Sequence, residues 1–567
     1  MDAARLSTST RTPAQRSTIG LDRMDLSAPS TPTKSYILVA PEEGIFKTTS
    51  KIQLVDLGIK VKEELGLIGG VLADLTDKQV KDLEKQGYRV HLDQQDRYLP
   101  PMPWDPSPKD EEEEAAEKKE AETKKEPEFK SRLPQLAPRF DTPLTRKFQG
   151  EGVGIAILDT GIYPHPDFNT PYNRLVAFAD MVNGRSTPYD DHGHGTHVAG
   201  DAAGSGLLSG GIYRGPAPKA HLVGVKVLGE DGSGKTSDII KGIQFCIENK
   251  DRLGIRVINL SLGHTARKKY QDDPVDQAVQ KAYEAGLVVV AAAGNDGPDR
   301  KTVKAPGDSP HAITVGAVDD QNTPDPGDDS ITEFSSRGPT KYGASKPDLV
   351  APGEAIMAPL SPGTSSEAQA ARFQVVHGTV KWLSSLPAEE LARVPDSQFA
   401  LMGIGPETMG KIREGGETAK NEFNRLLRVT SRMPLSPDKA YVGMPGTSMA
   451  TPIVAGVVAE MLEANPDLTP DEVKEILKSS ADPLPGRVPK NHQGAGMVDP
   501  HEAILMALDR GKPVAANQDV LKALQEAMRQ AAEAPAKEEK KPEETPAPEQ
   551  KPEQKPDEKP EEVPNPS

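Results

Sequence analysis

The sequence predicts an α/β protein built on a mostly parallel sheet, and three observations predict it. Between Gly152 and about Leu508, short Val/Ile-rich runs alternate with amphipathic helical stretches. The runs Val153–Leu158, Leu222–Leu228, Val257–Leu262, Leu287–Ala293 and Ala312–Val318 are predominantly apolar, as strands covered on both faces tend to be. The residues with unusual chemistry stand where such runs end, which is where open α/β sheets build their sites.

The rest of the chain adds little further core. Its 567 residues suggest three or four units of about 150 residues each. That prior is too high, because both flanks and one internal segment are poor in apolar residues. Ten acids against four lysines in 110–128, and ten against six in 537–567, supply −10 of the net −17. The remainder is only mildly acidic, which argues against nucleic acid or an anionic membrane surface as a partner. Residues 1–33 are Ser/Thr/Pro-rich without periodicity and read as a tail. They hold no apolar stretch suited to secretion, and no window of about 18 apolar residues occurs anywhere. The single cysteine, Cys246, excludes an intramolecular disulfide framework. A soluble protein of a reducing compartment, most simply the cytoplasm, is expected, with secretion left open.

Residues 34–100 predict a small α/β module. Tyr36–Val39 reads as a strand, Thr76 caps a helix over Asp77–Gln86, and Tyr88–Leu92 alternates like a second strand. A charged linker follows at 101–140, with a solvated helix possible over Glu111–Lys125. Residues 511–567 combine an Ala-rich helical stretch, 513–534, with a Pro/Glu/Lys tail that can bury no core.

Three segments carry the chemistry. Asp159 follows the run Val153–Leu158 and precedes Thr160-Gly161. His194 lies in Asp190-Asp191-His192-Gly193-His194-Gly195-Thr196-His197-Val198-Ala199-Gly200, whose small residues let a helix start close to the sheet. Ser448 lies in Gly446-Thr447-Ser448-Met449-Ala450-Thr451-Pro452, before the apolar helix Ile453–Leu462. A serine at a helix N-terminus has its hydroxyl and N–H near the positive end of the dipole, which suits a nucleophile that generates an oxyanion. Singly, each segment reads equally well as a turn, a core histidine or a helix cap.

Together and in this order they resemble the subtilase family of serine peptidases over most of 140–508. The likeness is strongest to its AprX-like intracellular branch, through Asp180–Arg185, Ser209–Gly215 and Pro326–Asp329. The resemblance implies a three-layer subtilisin-like fold and a triad of Asp159, His194 and Ser448. It further implies Asn295 as a side-chain donor to the oxyanion, beside the N–H of Ser448. Substrate would lie between Gly232-Ser233-Gly234 and Ser261-Leu262-Gly263, with Ala293, Gly294 and Lys304 around the pocket for the side chain preceding the scissile bond. A lysine there favours an acidic side chain if its ammonium points inward, and leaves the usual apolar preference if it turns out to water.

The same resemblance makes the module at 34–100 an inhibitory propeptide acting in cis on a zymogen, with maturation between about Tyr98 and Phe140. Polypeptides are the implied substrates and no cofactor is required. Asp167 matches a position where many subtilases bind structural calcium, although the loop Gly204–Gly211 offers no Asn or Asp as a further ligand. The chain from about 361 to 440 is longer than the family needs and reads as a helical insertion, with helices over Val380–Leu386, Glu389–Val394 and Thr418–Leu427.

Two rival readings stand beside this one. Gly229-Glu230-Asp231-Gly232-Ser233-Gly234-Lys235-Thr236 fits the phosphate-loop pattern letter for letter, between a strand and the helix expected over Ser237–Asn249, and suggests a nucleotide hydrolase. A catalytically silent binding protein with a peptidase fold is the other.

Overall fold

The computed structural model describes residues 32–40, 54, 57–99 and 140–510, apart from 324 and 402–403. The N-terminal tail to residue 31, the charged linker with its expected helix, and the segments after 510 lie outside them.

An eight-stranded sheet forms the centre. Its strands are β6 (Gly154–Asp159), β7 (Leu175–Asp180), β8 (His221–Lys226), β10 (Ile255–Leu260), β11 (Val288–Ala292), β12 (Ala312–Asp319), β13 (Ser330–Ile331) and β14 (Leu349–Pro352), in the order β13-β12-β11-β10-β6-β8-β7 with β14 also on β12. Only the β12/β13 pairing is antiparallel. The predominantly apolar runs are explained by the two cores. Ile155 and Ile157 of β6 face a core with α2 (His194–Ala203) and α8 (Thr447–Ala464). Ala156 and Leu158 face a second core with α3 (Thr236–Leu253) and α4 (Pro274–Glu284). Successive residues are therefore buried on opposite sides, and no face is left to solvent.

The module is an antiparallel sheet, β2-β3-β1-β4, made of β1 (Lys34–Val39), β2 (Val61–Leu65), β3 (Gly70–Leu75) and β4 (Arg89–Leu92). Thr76 caps α1 (Asp77–Lys85) as expected, and does so in a capping box with Gln79. Alternation along β1 serves two partners. Tyr36 and Leu38 join the module's own core with Leu83, and Ile37 and Val39 join the core around α3 and α4.

The expected insertion is helical. From β15 (Ile356–Pro359) the chain enters α5 (Ser365–Ser384), two short helices, α6 (Pro406–Glu414) and α7 (Gly416–Thr430), and returns along β16 (Tyr441–Met444), antiparallel to β15. Its helices close a separate core that includes Val380, Leu391, Phe399, Ile412 and Phe423.

Helix α8 begins at Thr447, earlier than the apolar stretch Ile453–Leu462 suggested, and Pro452 lies inside it. Proline has no N–H for the carbonyl of Ser448 four residues back. The Ser261 hydroxyl donates to that carbonyl instead, at 2.7 Å.

Candidate active site

Asp159 and His194 meet at the carboxyl end of β6, and Ser448 lies against Ser261, just past the end of the neighbouring β10. Asp159 ends β6, is fully buried, and its Oδ1 accepts from Nδ1 of His194 at 2.8 Å and from the Thr160 N–H at 2.7 Å. A Cβ at Gly161, φ +123°, would strike the Tyr189 carbonyl, so this tight turn requires glycine. His194 opens α2. Burial works to lower its pKa, but the charge of Asp159 and its hydrogen bond outweigh burial and hold the imidazole above its ordinary value.

The neighbouring histidines have other roles. His197 binds Asp201 at 2.8 Å and the Ile356 and Val442 carbonyls at 3.0 Å, which pins α2 to β15 and β16. His192 is held below its ordinary pKa by burial and by His194.

Ser448 lies in the first turn of α8, and its hydroxyl donates to the Ser261 carbonyl at 3.2 Å. Asn295 follows β11, and its Oδ1 accepts from the N–H and hydroxyl of Thr447 at 2.9 and 2.8 Å. Those two bonds orient the amide and leave Nδ2 facing the turn at Gly446. A Cβ built on Gly446 would lie 3.5 Å from both Asn295 Nδ2 and the Ser448 nitrogen, and 3.4 Å from the Met449 sulfur. Two N–H donors therefore border one small space beside the serine, the arrangement an oxyanion needs.

An extended segment already occupies the predicted peptide edges. After β4, β5 (Gln95–Arg97) pairs antiparallel with β9 (Ser233–Lys235). The Leu99 N–H donates to the Gly232 carbonyl and the Tyr98 carbonyl accepts from the Gly263 N–H, each at 3.2 Å. Both side chains are buried, with the Tyr98 ring edge-on to His264. This is strand addition by the module's own end. Leu262 is buried beneath the edge, in the same core as Leu99.

The phosphate-loop reading does not survive. Ser233–Lys235 is a β-strand, and Asp231 takes the Ser233 N–H and hydroxyl at 3.0 and 2.6 Å. The start of α3 already has its anion: the Asp93 carboxylate accepts from the N–H and hydroxyl of Ser237, both at 3.0 Å.

The calcium expectation at Asp167 is also corrected. Its carboxylate accepts from the Gly206 N–H at 2.8 Å, the Leu207 N–H at 3.2 Å and the Tyr441 hydroxyl at 2.7 Å. Proton donors fill the places where a cation would need oxygen ligands, so these residues do not fit calcium. Among the described residues no group of three or more His, Cys, Asp or Glu is arranged to hold a metal ion.

Lys304 turns away from an inward charge. Its N–H donates to Ala293 at 2.9 Å, and Cβ atoms at Gly263 and Gly294 would come within 2.9 and 2.5 Å of its stem. Its ammonium pairs with Asp296 and approaches the Thr265 hydroxyl at 3.4 Å.

Sequence reasoning gave no role to Asp190, Thr447, Lys226 or Asp296. Asp190 and Thr447 stood inside the recognised motifs, but only the closed fold shows what their polar atoms face. Lys226 sat within an apolar run. Fully buried, its ammonium binds the Thr160 and Leu228 carbonyls at 2.6 and 2.8 Å and Asp191 at 2.6 Å.

Comparison with known proteins places the chain in a family. A profile described as the subtilase family matches residues 150–496. The chain is 43% identical over 360 residues to the serine protease AprX of Bacillus subtilis, covering 63% of this chain and 66% of that protein. It is 36% identical over 227 residues to a subtilisin of Bacillus sp. strain TA39, 38% of this chain and 52% of that one. It is 30% identical over 358 residues to the M-protease of Shouchella clausii, 63% and 66%. The chain thus spans less than two thirds of each relative's length.

Proposed function

The chain belongs to the subtilase family, and from that membership we propose that it is a serine endopeptidase made as a zymogen. The observation that carries the proposal is the space at Gly446, bordered by the Asn295 amide, the N–H of the candidate nucleophile Ser448 and the Met449 sulfur.

In the proposed reaction a polypeptide lies extended between Gly232–Gly234 and Ser261–Gly263. The Ser448 hydroxyl swings from the Ser261 carbonyl to His194, whose Nε2 takes its proton as Oγ attacks the scissile carbonyl. Asp159 holds Nδ1–H and stabilises the imidazolium. Asn295 and the Ser448 N–H stabilise the oxyanion. His194 then protonates the leaving amine, and water releases the acyl group by the same relay. No cofactor takes part.

The module acts as propeptide, because Tyr98 and Leu99 fill the two edges that substrate would use. Maturation would fall between Tyr98 and Phe140, freeing the cleft. No helix among the described residues is long and apolar enough to cross a membrane. A reducing, cytoplasmic setting is our reading, since the one thiol is buried and burial holds its pKa well above the ordinary value.

A fluorophosphonate probe tests the function, because it reacts only with an activated serine. The expected result is mass-spectrometric label on Ser448 of the mature protein, lost in His194→Ala. An unlabelled, inert parent would favour the silent binding protein.

A further inference from the structure

We propose that the root of the helical insertion positions the catalytic base, with Ser366 and Ser361 as positioning residues; the proposal rests on the serine peptidase reading above.

The turn Asp190–Gly193 delivers His194. Its inner side is fixed by the Asp190 carboxylate, which accepts from Thr160 Oγ1 at 2.9 Å, from the His192 and Gly193 N–H groups at 3.1 and 2.8 Å, and from the N–H and hydroxyl of Thr196 at 2.9 and 2.6 Å. Five donors thus tie the turn to the end of β6 and to the first turn of α2.

The outer side is held by the insertion. The Asp190 carbonyl accepts from the Ser361 hydroxyl at 3.0 Å. The His192 carbonyl accepts from the Ser366 hydroxyl at 2.7 Å, the Ser366 N–H at 3.3 Å and the Ser365 hydroxyl at 3.2 Å. The fit leaves no slack. Gly193 has φ +101°, and a Cβ there would come within 2.8 Å of the Ser366 side chain and 2.9 Å of Thr364 Oγ1.

What holds the root is a single continuous helix. The first half of α5 sets Ala370 and Phe373 in the main core with Met449, while its second half sets Val376, Val380 and Leu383 in the insertion's own core. The Ser365 and Ser366 hydroxyls are therefore carried by an element anchored in the core that also holds Met449, and Ser361 lies just before it. They fix the backbone of His192 and Gly193, hence the start of α2, hence the 2.8 Å contact of His194 with Asp159. Displacements of this kind, well away from the reacting atoms, can cost up to about a hundredfold in rate.

The test is kcat and KM of the mature protein on a peptide substrate, with thermal unfolding, for the parent, Ser366→Ala, Ser361→Ala and Val376→Ala. Val376→Ala loosens the insertion without touching the turn. We expect Ser366→Ala to lower kcat by about tenfold with KM within about twofold. Val376→Ala should lower the melting temperature and leave kcat at 25 °C unchanged. If Ser366→Ala does not fold, Ser361→Ala carries the same expectation. Unchanged kcat in the serine variants, or a loss that merely tracks lost stability as in Val376→Ala, overturns the proposal. A parent inert to both substrate and fluorophosphonate would instead overturn the peptidase reading, and this proposal with it.

Discussion

The module at 34–99 and the insertion between β15 and β16 are both additions to one sheet, and they are attached by different physics. The module lends one face of its sheet, Ile37, Val39 and Leu72, to the outer surface of α3 and α4 and completes a two-stranded pairing at β9. It keeps a small core of its own and is joined to the rest through one end. The insertion is continuous with the catalytic layers at both ends, and α5 is shared between two cores. Removing the module uncovers a cleft. Removing the insertion would strip Phe373 and Ala370 from the layer beneath Ser448. On the reading proposed above, an inhibitor that must leave and a brace that must stay are distinguishable by where their buried residues belong.

The largest effect tests the departure. Ser448→Ala should lower peptide hydrolysis by about 10⁴-fold or more, the general cost of losing a triad member. It should also leave the chain at full length, where the parent is shortened at its N-terminal side. A shortened Ser448→Ala chain, made without any other protease present, would mean that the module is not removed by this site.

The next largest tests the brace. Phe423 is buried in the insertion core, and Phe423→Ala should cost about 3–5 kcal/mol there. Because that core is separate, calorimetry should resolve a new low-temperature transition while the main transition stays in place. One shared transition that shifts as a whole would show that the insertion is no independent unit. A smaller effect probes how the module is docked. Asp93→Ala deletes a carboxylate that receives two hydrogen bonds from Ser237 at the start of α3. Inhibition by the released module should weaken by about tenfold or more, since charge-assisted bonds commonly contribute about 1.5–3 kcal/mol. Unaltered inhibition would place the docking energy in the apolar face alone.

Much of this was legible in the sequence. Runs such as Leu287–Ala293 announced strands buried on both faces, and Thr76 announced the start of its helix, because both signals are local. The contexts of Asp159, His194 and Ser448 were ambiguous singly and became readable only together and in order, through their resemblance to the subtilases. What stayed hidden depends on closure between distant segments. Gly229–Thr236 matched a phosphate loop because a pattern cannot show that Asp93, over 100 residues earlier, already occupies the helix start. Asp167 suggested calcium because nothing local reveals that Tyr441 would supply a hydroxyl 274 positions later. The apolar stretch Ile453–Leu462 suggested a later start to α8, since only the fold shows that Ser261 takes over the Ser448 carbonyl.

The smallest expected effect asks whether side-chain preference belongs to the core rather than to either addition. From sequence, Lys304 offered two outcomes, a charge inside the pocket that favours Glu or Asp, or a stem along the wall with the charge elsewhere. The structure has the stem across Gly263 and Gly294 and the ammonium paired with Asp296, whose side chain is 48% exposed. A compensated charge offers little to an acidic substrate side chain, so a peptide library should show an apolar preference before the scissile bond. Asp296→Asn leaves the stem in place and frees the ammonium. A partly exposed ion pair is worth only about 0.2–1 kcal/mol, so Glu should gain about 1.4- to fivefold relative to apolar residues in that variant. The gain should vanish in Asp296→Asn combined with Lys304→Gly, and should shrink at high salt as the freed charge is screened. A parent that already favours Glu, with no further gain in Asp296→Asn, would show that the ammonium enters the pocket despite its partner.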